Sequence, residues 1–349
     1  MNGKMKVAIM TDLKKIEFIE RDIPKPKSDE VLVKLEYVGV CGSDLHYYEH
    51  GAIGNYIVKY PFVLGHECSG TVVEIGDNVK HLKVGDKVAL EPGKTCGKCE
   101  FCKTGRYNLC PDVIFFATPP VDGVFQEYVA HPESLSFKLP DNISTMEGAL
   151  IEPLAVGMHA ARQGDAKIGE IAFVTGAGCI GLCSMLALKA CGVSKVYVID
   201  VMKKRLDKAL ELGASGIIDA SKENVIERVL ELTDGKGSDI TIETAGSEIT
   251  TNQAIEFAKK GSTVVLVGYS KTGKMNVNLS LSLDKELTFK TVFRYRHIFP
   301  LCIDAIESGA INIKNIVTNS YDFKDLQKAL DDSVEDKMNI VKTVIKLNK

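Results

Sequence analysis

Between residues 167 and 293, short β-branched runs alternate with longer stretches of helical spacing, and this alternation restricts the fold more than any other feature of the chain. IAFVT (171–175), VYVID (196–200), GIID (216–219), DITIE (239–243) and STVVLVG (262–268) predict strands, with TFKTVF (288–293) as a sixth. Between them lie CIGLCSMLALKACG, MKKRLDKALELGA, KENVIERVLELT and ITTNQAIEFAKKG, each with apolar residues at helical spacing. Such alternation implies a parallel, doubly wound α/β sheet with helices on both faces. Gly192, Gly213 and Gly261 stand where helix C-caps are expected.

Residues 1 to about 150 read differently. VLVKLEYVGV, GTVVEIG and DKVALEPG are separated by Gly-Asp and Pro-Gly turns, an antiparallel β pattern with few helices. After residue 293, helices are expected around 299–309 and 323–335, followed by a final strand, VKTVIKL. A chain of 349 residues has room for two domains and a large core. The expected division is 1–153 with 294–349, and 154–293 as the second domain.

Val174 to Gly181 contains G-x-G-x-x-G directly after a strand and opening a helix. Gly176 makes the tight turn, Gly178 lets backbone approach a pyrophosphate, and Gly181 lets helix and strand pack closely. The helix N-terminus then offers free N–H groups and a positive dipole end to phosphates. Alone the glycine pattern is weak. Here the next strand ends at Asp200, nineteen residues after Gly181, where a carboxylate accepts hydrogen bonds from ribose hydroxyls and repels a 2′-phosphate. Arg205 competes with that reading, because a nearby arginine suits a 2′-phosphate; it also fits a solvated helix face with Lys203 and Lys204, or stacking on adenine. Asp200 favours NAD. The candidate cofactor contacts are Gly176, Gly178, Ile180, Gly181, Asp200, Arg205, Val267, Gly268, Tyr269, Val292 and Phe293.

Cys96, Cys99, Cys102 and Cys110 follow the spacing C-x2-C-x2-C-x7-C. Four thiolates so spaced form a closed tetrahedral zinc site, which stabilises a lobe (about 91–111) and leaves no position for substrate. A redox role for Cys99 and Cys102 would leave Cys96 and Cys110 unexplained. A reactive metal needs other ligands. Cys41-Gly42-Ser43-Asp44-Leu45-His46 and Gly65-His66-Glu67 offer them, although Cys41 could equally be a core thiol and His66 a turn histidine. Glu152 lies in an apolar run, GALIEPLAVGMHA, where an unpaired carboxylate is costly to bury.

In this order, CGSD-x-H, GHE, the four-cysteine lobe and G-x-G-x-x-G resemble the zinc-dependent, medium-chain alcohol dehydrogenases. HYYEHGAIGNYIVKYPFVLGHE, GRYNLCPDVIFFATPPVDG, EGALIEPLAVGMHA and VFRYR resemble the polyol branch, the sorbitol (L-iditol) and xylitol dehydrogenases. The likeness spans essentially the whole chain. It implies a GroES-like, mostly-β catalytic domain joined to a Rossmann domain, and two zinc ions per chain. It also implies Cys41, His66 and Glu67 as catalytic zinc ligands, with Glu152 where other alcohol dehydrogenases have a cysteine.

Sequence does not say which glutamate binds directly. The Cys41 thiolate and one carboxylate neutralise Zn²⁺, whereas both carboxylates leave the site anionic and oppose ionisation of an alcohol there. Glu67 is therefore expected on the metal and Glu152 through water, with Asp44 orienting His66. The catalytic candidates are Glu152 and the Ser43–His46 pair, either of which carries the alcohol proton towards solvent. Tyr47, Glu152, Arg294 and Tyr295 are the candidate substrate contacts, because selecting a polyol takes several polar groups aimed at adjacent hydroxyls. Without the resemblance, Arg294-Tyr295 reads as a surface loop pair.

His50, His81, His131 and His159 are expected to be structural or exposed, and Cys68, Cys179, Cys183, Cys191 and Cys302 to be packed thiols. With 43 basic and 46 acidic residues the net charge is −3, which argues against nucleic acid and against an anionic membrane surface. The four-residue apolar run Val7–Met10 is too short for a signal-peptide core, and ten cysteines then read as ligands and buried thiols in a cytoplasmic chain. The expected partners are a polyol or ketose and, from the resemblance, three further copies in a homotetramer. Competing readings are a dehydrogenase of butanediol, threonine, a cyclitol or a sugar phosphate, a silent nucleotide-binding protein, and a zinc-lobed nucleic-acid binder.

Overall fold

The computed structural model describes residues 3–270 and 273–347. Contacts divide the chain into two units, Met1–Glu152 with Phe299–Glu307 and Val317–Lys349, and Pro153–Ile298 with Ser308–Ile316. Residues 294–298 and 308–316 thus group with the second unit. Arg162 Nη2 donates to the Arg296 carbonyl (2.7 Å) and Gln163 Nε2 to that of Thr291 (3.0 Å), tying this segment to the unit's first helix.

The first unit is built on the long strand Glu30–Val40. Glu67–Ile75 pairs antiparallel along one side of it. On the other side Tyr128–Pro132 pairs with its first half and Thr343–Lys346 with its second. Lys87–Leu90 and Ser136–Lys138 extend the sheet at one edge, and Asn319–Asp322 at the other. The last of these strands, parallel to Thr343–Lys346, has no apolar alternation and was not expected. Val31, Val33, Leu35, Val38, Val72, Val88 and Ile345 are all fully buried in one core, and Leu32, Ala89 and Val344 between them are buried as well, so these strands are covered on both faces.

In the second unit six strands run parallel in the order 216–219, 195–200, 171–175, 238–243, 258–266, 288–291. The glycine-rich turn follows the central Ile171–Thr175 strand, where the chain order reverses and such sheets open a crevice at their carboxyl ends. Gly192 and Gly213 each adopt φ +88° just past a helix, as the sequence predicts.

Gly261 does not. The Glu248–Phe257 helix stops at Phe257, and Gly261 lies within the strand Ala258–Leu266, its N–H donating to Lys285. Lys285 closes the helix instead, its ammonium donating to the carbonyls of Ile255 (3.2 Å), Glu256 (2.5 Å) and Ala258 (2.8 Å). A cation on the last carbonyls satisfies them and complements the helix dipole. The sixth strand is also shorter than TFKTVF, ending at Thr291.

Cys68, Cys183 and Cys302 are buried as expected, but Cys191 is exposed at a helix C-cap. His131 is buried and donates from Nε2 to the Glu91 carbonyl (2.9 Å), and burial lowers its pKa to about 4. Because the unfolded imidazole titrates near 6.5, the unfolded state takes up a proton first, and stability is lost as pH falls from 6.5 towards 4. Between pH 7 and 4.5 the parent is expected to lose about 2 kcal/mol relative to His131→Gln, measured by urea unfolding at each pH. A pH-independent difference would show that His131 is not held neutral.

Candidate active site

Two clusters of metal-ligating side chains occur among the described residues: Cys96, Cys99, Cys102 and Cys110; and Cys41, His66 and Glu67. Within each, one ligand atom per residue lies within 4.8 Å of the others.

The four-cysteine lobe is folded to present sulfur. Cys99 caps a one-turn helix, Glu100–Lys103, and its Sγ accepts from the Cys102 N–H (3.5 Å). Cys99 N–H donates to Cys96 Sγ (3.3 Å), and Cys96 N–H to Cys110 Sγ (3.4 Å). Backbone N–H groups of Lys98 and Cys99 pull the Cys96 thiol down to about 7. Backbone donors aimed at sulfur favour thiolates, and four thiolates fit a zinc ion. Cys99→Ser is expected to lose one zinc and lower the melting temperature, since such ions contribute folding energy directly. Metal analysis with a thermal melt checks it; an unchanged melt would make the lobe self-supporting.

The second cluster is assembled by one carboxylate. Cys41 caps the Gly42–His50 helix. Asp44, in the first turn, accepts from the Cys41 N–H (3.0 Å) and, across the fold, from the Gly65 N–H (2.9 Å). This ties the helix start to the Gly65-His66 turn and brings thiol and imidazole together. Asp44 Oδ1 also lies 3.6 Å from His66 Nδ1, which leaves Nε2 for a metal. Burial alone would raise the Asp44 pKa, but His66 and the two N–H groups hold it below the usual carboxylate range. Gly65 sits at φ +91°, with the Phe125 ring 3.0 Å from where a Cβ would stand, so the turn requires glycine.

Glu67 follows on the Glu67–Ile75 strand, and its carboxylate forms an ion pair with Lys342. Glu152, 6% exposed, is the second residue of the Ile151–Gln163 helix. Burial pushes the Cys68 thiol well up, and the Glu152 and Glu67 carboxylates add to this, so both charges bear on Cys68. A thiol, an imidazole and a carboxylate in a largely buried pocket form a donor set that suits zinc. Glu152 falls outside the tight three-residue group.

The other candidates are placed as follows. Ser43 is half-buried and His46 exposed. The His46 ring packs edge-on against His50 (4.7 Å), and no hydrogen bond joins it to Ser43 among the described residues. Tyr47 is buried beside Phe62 (6.4 Å between ring centroids). In the second unit Tyr295 is buried rather than on a surface, and Arg294 is half-buried with its guanidinium 4.8 Å from the Phe293 ring centroid. Arg294 adopts φ +55°, a conformation costly for a non-glycine residue and concentrated at functional sites.

At the nucleotide loop, Gly176 has φ +93°, and a Cβ on Gly181 would stand 1.8 Å from the Gly176 carbonyl oxygen. Over Gly178 the nearest atom is Arg205 Nη1, 3.8 Å from a Cβ position, so the chain leaves this backbone open. Asp200 accepts from Ala177 N–H (2.6 Å) and Met202 N–H (2.8 Å), which fixes the carboxylate at the loop. Ile180, Val267 and Gly268 are half-buried, Val292 is buried, and Phe293 and the 76%-exposed Tyr269 face outward. A Cβ on Gly268 would stand 2.3 Å from Gly246 N, so the loops after the fourth and fifth strands interlock only through glycines.

Two buried charged residues beside the site were not singled out in the sequence. Glu91, hydrogen-bonded by the Tyr107 hydroxyl (2.8 Å), is raised to about 7, chiefly by burial and also by Glu152. Its signal was available, a carboxylate closing the apolar run VAL before Pro-Gly. Lys342 is the other, one lysine among several in VKTVIKLNK.

Residues 27–141 match the alcohol dehydrogenase GroES-like domain and residues 179–308 the zinc-binding dehydrogenase domain, so the chain belongs to the zinc-type alcohol dehydrogenases. It is 46% identical to the uncharacterized zinc-type alcohol dehydrogenase-like protein YdjJ of Escherichia coli (strain K12), across 95% of this chain and 96% of that one. It is 39% identical to sorbitol dehydrogenase of Bacillus subtilis (strain 168), across 99% and 98% of the two chains. The crystal structure of an Escherichia coli oxidoreductase/dehydrogenase of unknown specificity superposes with a TM-score of 0.96 at 45% identity, covering 99% of this chain and 100% of the other. No helix among the described residues is long and apolar enough to cross a membrane.

Proposed function

We propose that this protein interconverts a sorbitol- or xylitol-like polyol and its ketose, with NAD⁺ as hydride acceptor, one catalytic zinc at Cys41, His66 and Glu67, and one structural zinc in the four-cysteine lobe. The observation that carries this reading is the largely buried thiol–imidazole–carboxylate group with Glu152 nearby, in a chain similar to sorbitol dehydrogenase over nearly its full length.

When bound, zinc at Cys41, His66 and Glu67 would supply Lewis acidity towards a secondary hydroxyl, and the dinucleotide would supply the hydride acceptor. The residues of the chain do the rest. Asp44 fixes the His66 ring. Glu152, whose carboxylate has little water around it, accepts the substrate hydroxyl proton; Ser43 and the exposed His46 offer a route to solvent. Tyr47, Arg294 and Tyr295 are the polar groups for neighbouring hydroxyls, and they reject simple alcohols by being left unpaired. Asp200 and Arg205 hold the adenosine ribose, with Ile180, Val267, Gly268, Tyr269, Val292 and Phe293 along the dinucleotide. The same reading makes the protein a cytoplasmic homotetramer, and light scattering tests the oligomer.

The decisive assay is NADH production on sorbitol, xylitol, ribitol, galactitol, 2,3-butanediol and threonine with NAD⁺ and with NADP⁺. Preference for one polyol is the expected result; activity only on butanediol or threonine would keep the hydride chemistry and remove the polyol reading. Asp200→Ser is expected to lower kcat/KM for NAD⁺ by roughly 10- to 150-fold, the loss of a charged hydrogen bond of about 1.5–3 kcal/mol. The NADP⁺ value should fall less or rise. Equal losses for both cofactors would take Asp200 out of the ribose contact.

A further inference from the structure

Lys342 is 2% exposed and Glu67 1%, and the two side chains form an ion pair inside the first unit. The ammonium also donates to the Val40 carbonyl (3.0 Å), one residue before Cys41. Its backbone is clamped as well, the carbonyl accepting from Thr318 N–H (2.9 Å) and Asn319 N–H (3.2 Å). Between the two side chains lies Gly39, paired with Glu67 on one side and with Val344 on the other. A Cβ there would stand 2.0 Å from Glu67 Oε2 and 3.1 Å from Lys342 Cε, so the sheet has reserved this space for the pair.

Stability does not account for such a pair. Desolvating two charges roughly cancels their attraction, and apolar residues of similar volume are often as stable. Its position does: the Lys342 ammonium lies on the Glu67 carboxylate and on the carbonyl of Val40, the residue before Cys41, so one side chain braces the approach to both members of the cluster.

We propose that Lys342 is a positioning residue of the metal centre, holding one oxygen of Glu67 and offsetting its charge so that the other oxygen serves as a single ligand. This rests on Cys41, His66 and Glu67 being metal ligands.

The test compares zinc per chain and the rate of zinc transfer to a chromogenic chelator in the parent, Lys342→Met, Glu67→Gln, the double variant and His66→Ala. Lys342→Met is expected to release the second zinc about 10- to 100-fold faster, the usual cost of losing a partner behind a ligand. The double variant should be no worse than Glu67→Gln, because Lys342 acts through that carboxylate. Release at the parental rate, or losses that simply add, would overturn the proposal. Should Lys342→Met fail to fold, the double variant, with no buried charge left over, is expected to fold; if neither folds, Lys342 is a packing residue and the proposal falls. If His66→Ala keeps the parental zinc content, the metal centre itself is misassigned, and Lys342 loses its role with it.

Discussion

Replacing Glu152 with alanine is expected to lower kcat by at least about 100-fold while leaving NADH affinity near that of the parent, since a positioned acid–base group contributes about 10²–10⁴ in rate. Ala149, Leu150, Ile151, Leu154 and Ala155 around it are fully buried, so the Glu152 carboxylate is set in an apolar run with little access to solvent. Its charge reaches Cys68 and Glu91, which places it among the buried groups at the start of the Glu67–Ile75 strand and the end of the Lys87–Leu90 strand. The glycine-rich loop and Asp200 belong to the other unit and are held by their own hydrogen bonds, so nucleotide affinity reports on them separately. Removing a buried charge should not unfold the chain, and circular dichroism checks that. Near-normal turnover would remove Glu152 from the mechanism.

Gly39→Ala is the second large effect. The added methyl would occupy the position of the Glu67 carboxylate, in the middle of a sheet where strands on both sides prevent the backbone from yielding. Glu67 must then move its carboxylate away from Lys342, and breaking a buried ion pair costs about 3–5 kcal/mol. Urea unfolding should show that loss, and metal analysis the loss of one zinc. Gly42→Ala is the control, three residues away, with nothing within 4 Å of the new methyl. It is expected to be neutral or to stabilise its helix by about 0.5–1 kcal/mol. A Gly39→Ala protein with parental stability and zinc content would show that the carboxylate is not confined there.

The residues of both clusters are legible in the sequence where each part is local. Gly176 and Gly181 are demanded by a single turn, and Cys96, Cys99, Cys102 and Cys110 fall within fifteen residues. Cys41 and His66 each sat in a short motif, but neither motif alone distinguishes a ligand from a core residue. Asp44 brings the two motifs together by accepting from the backbone N–H groups of Cys41 and Gly65. Gly261 shows the opposite failure: a glycine at the right spacing was read as a cap, while the cap came from Lys285, distant in sequence and indistinguishable from any surface lysine. Lys342 escaped for the same reason, because burial of a lysine depends on what the fold places around it.

The parallel six-stranded sheet, the glycine-rich turn, the cysteine lobe and the family are written locally in the chain, because periodicity, turn chemistry and ligand spacing act over a few neighbouring residues. That ligand atoms of Cys41, His66 and Glu67 lie within 4.8 Å of one another, with Glu152 outside that group, is visible only in the folded protein, which decided it. It also decided that a lysine near the C-terminus offsets the charge of Glu67. Charge and burial are sums over everything nearby in space, and a strand register that sets Gly39 between Glu67 and Val344 leaves no mark on any one segment of the chain.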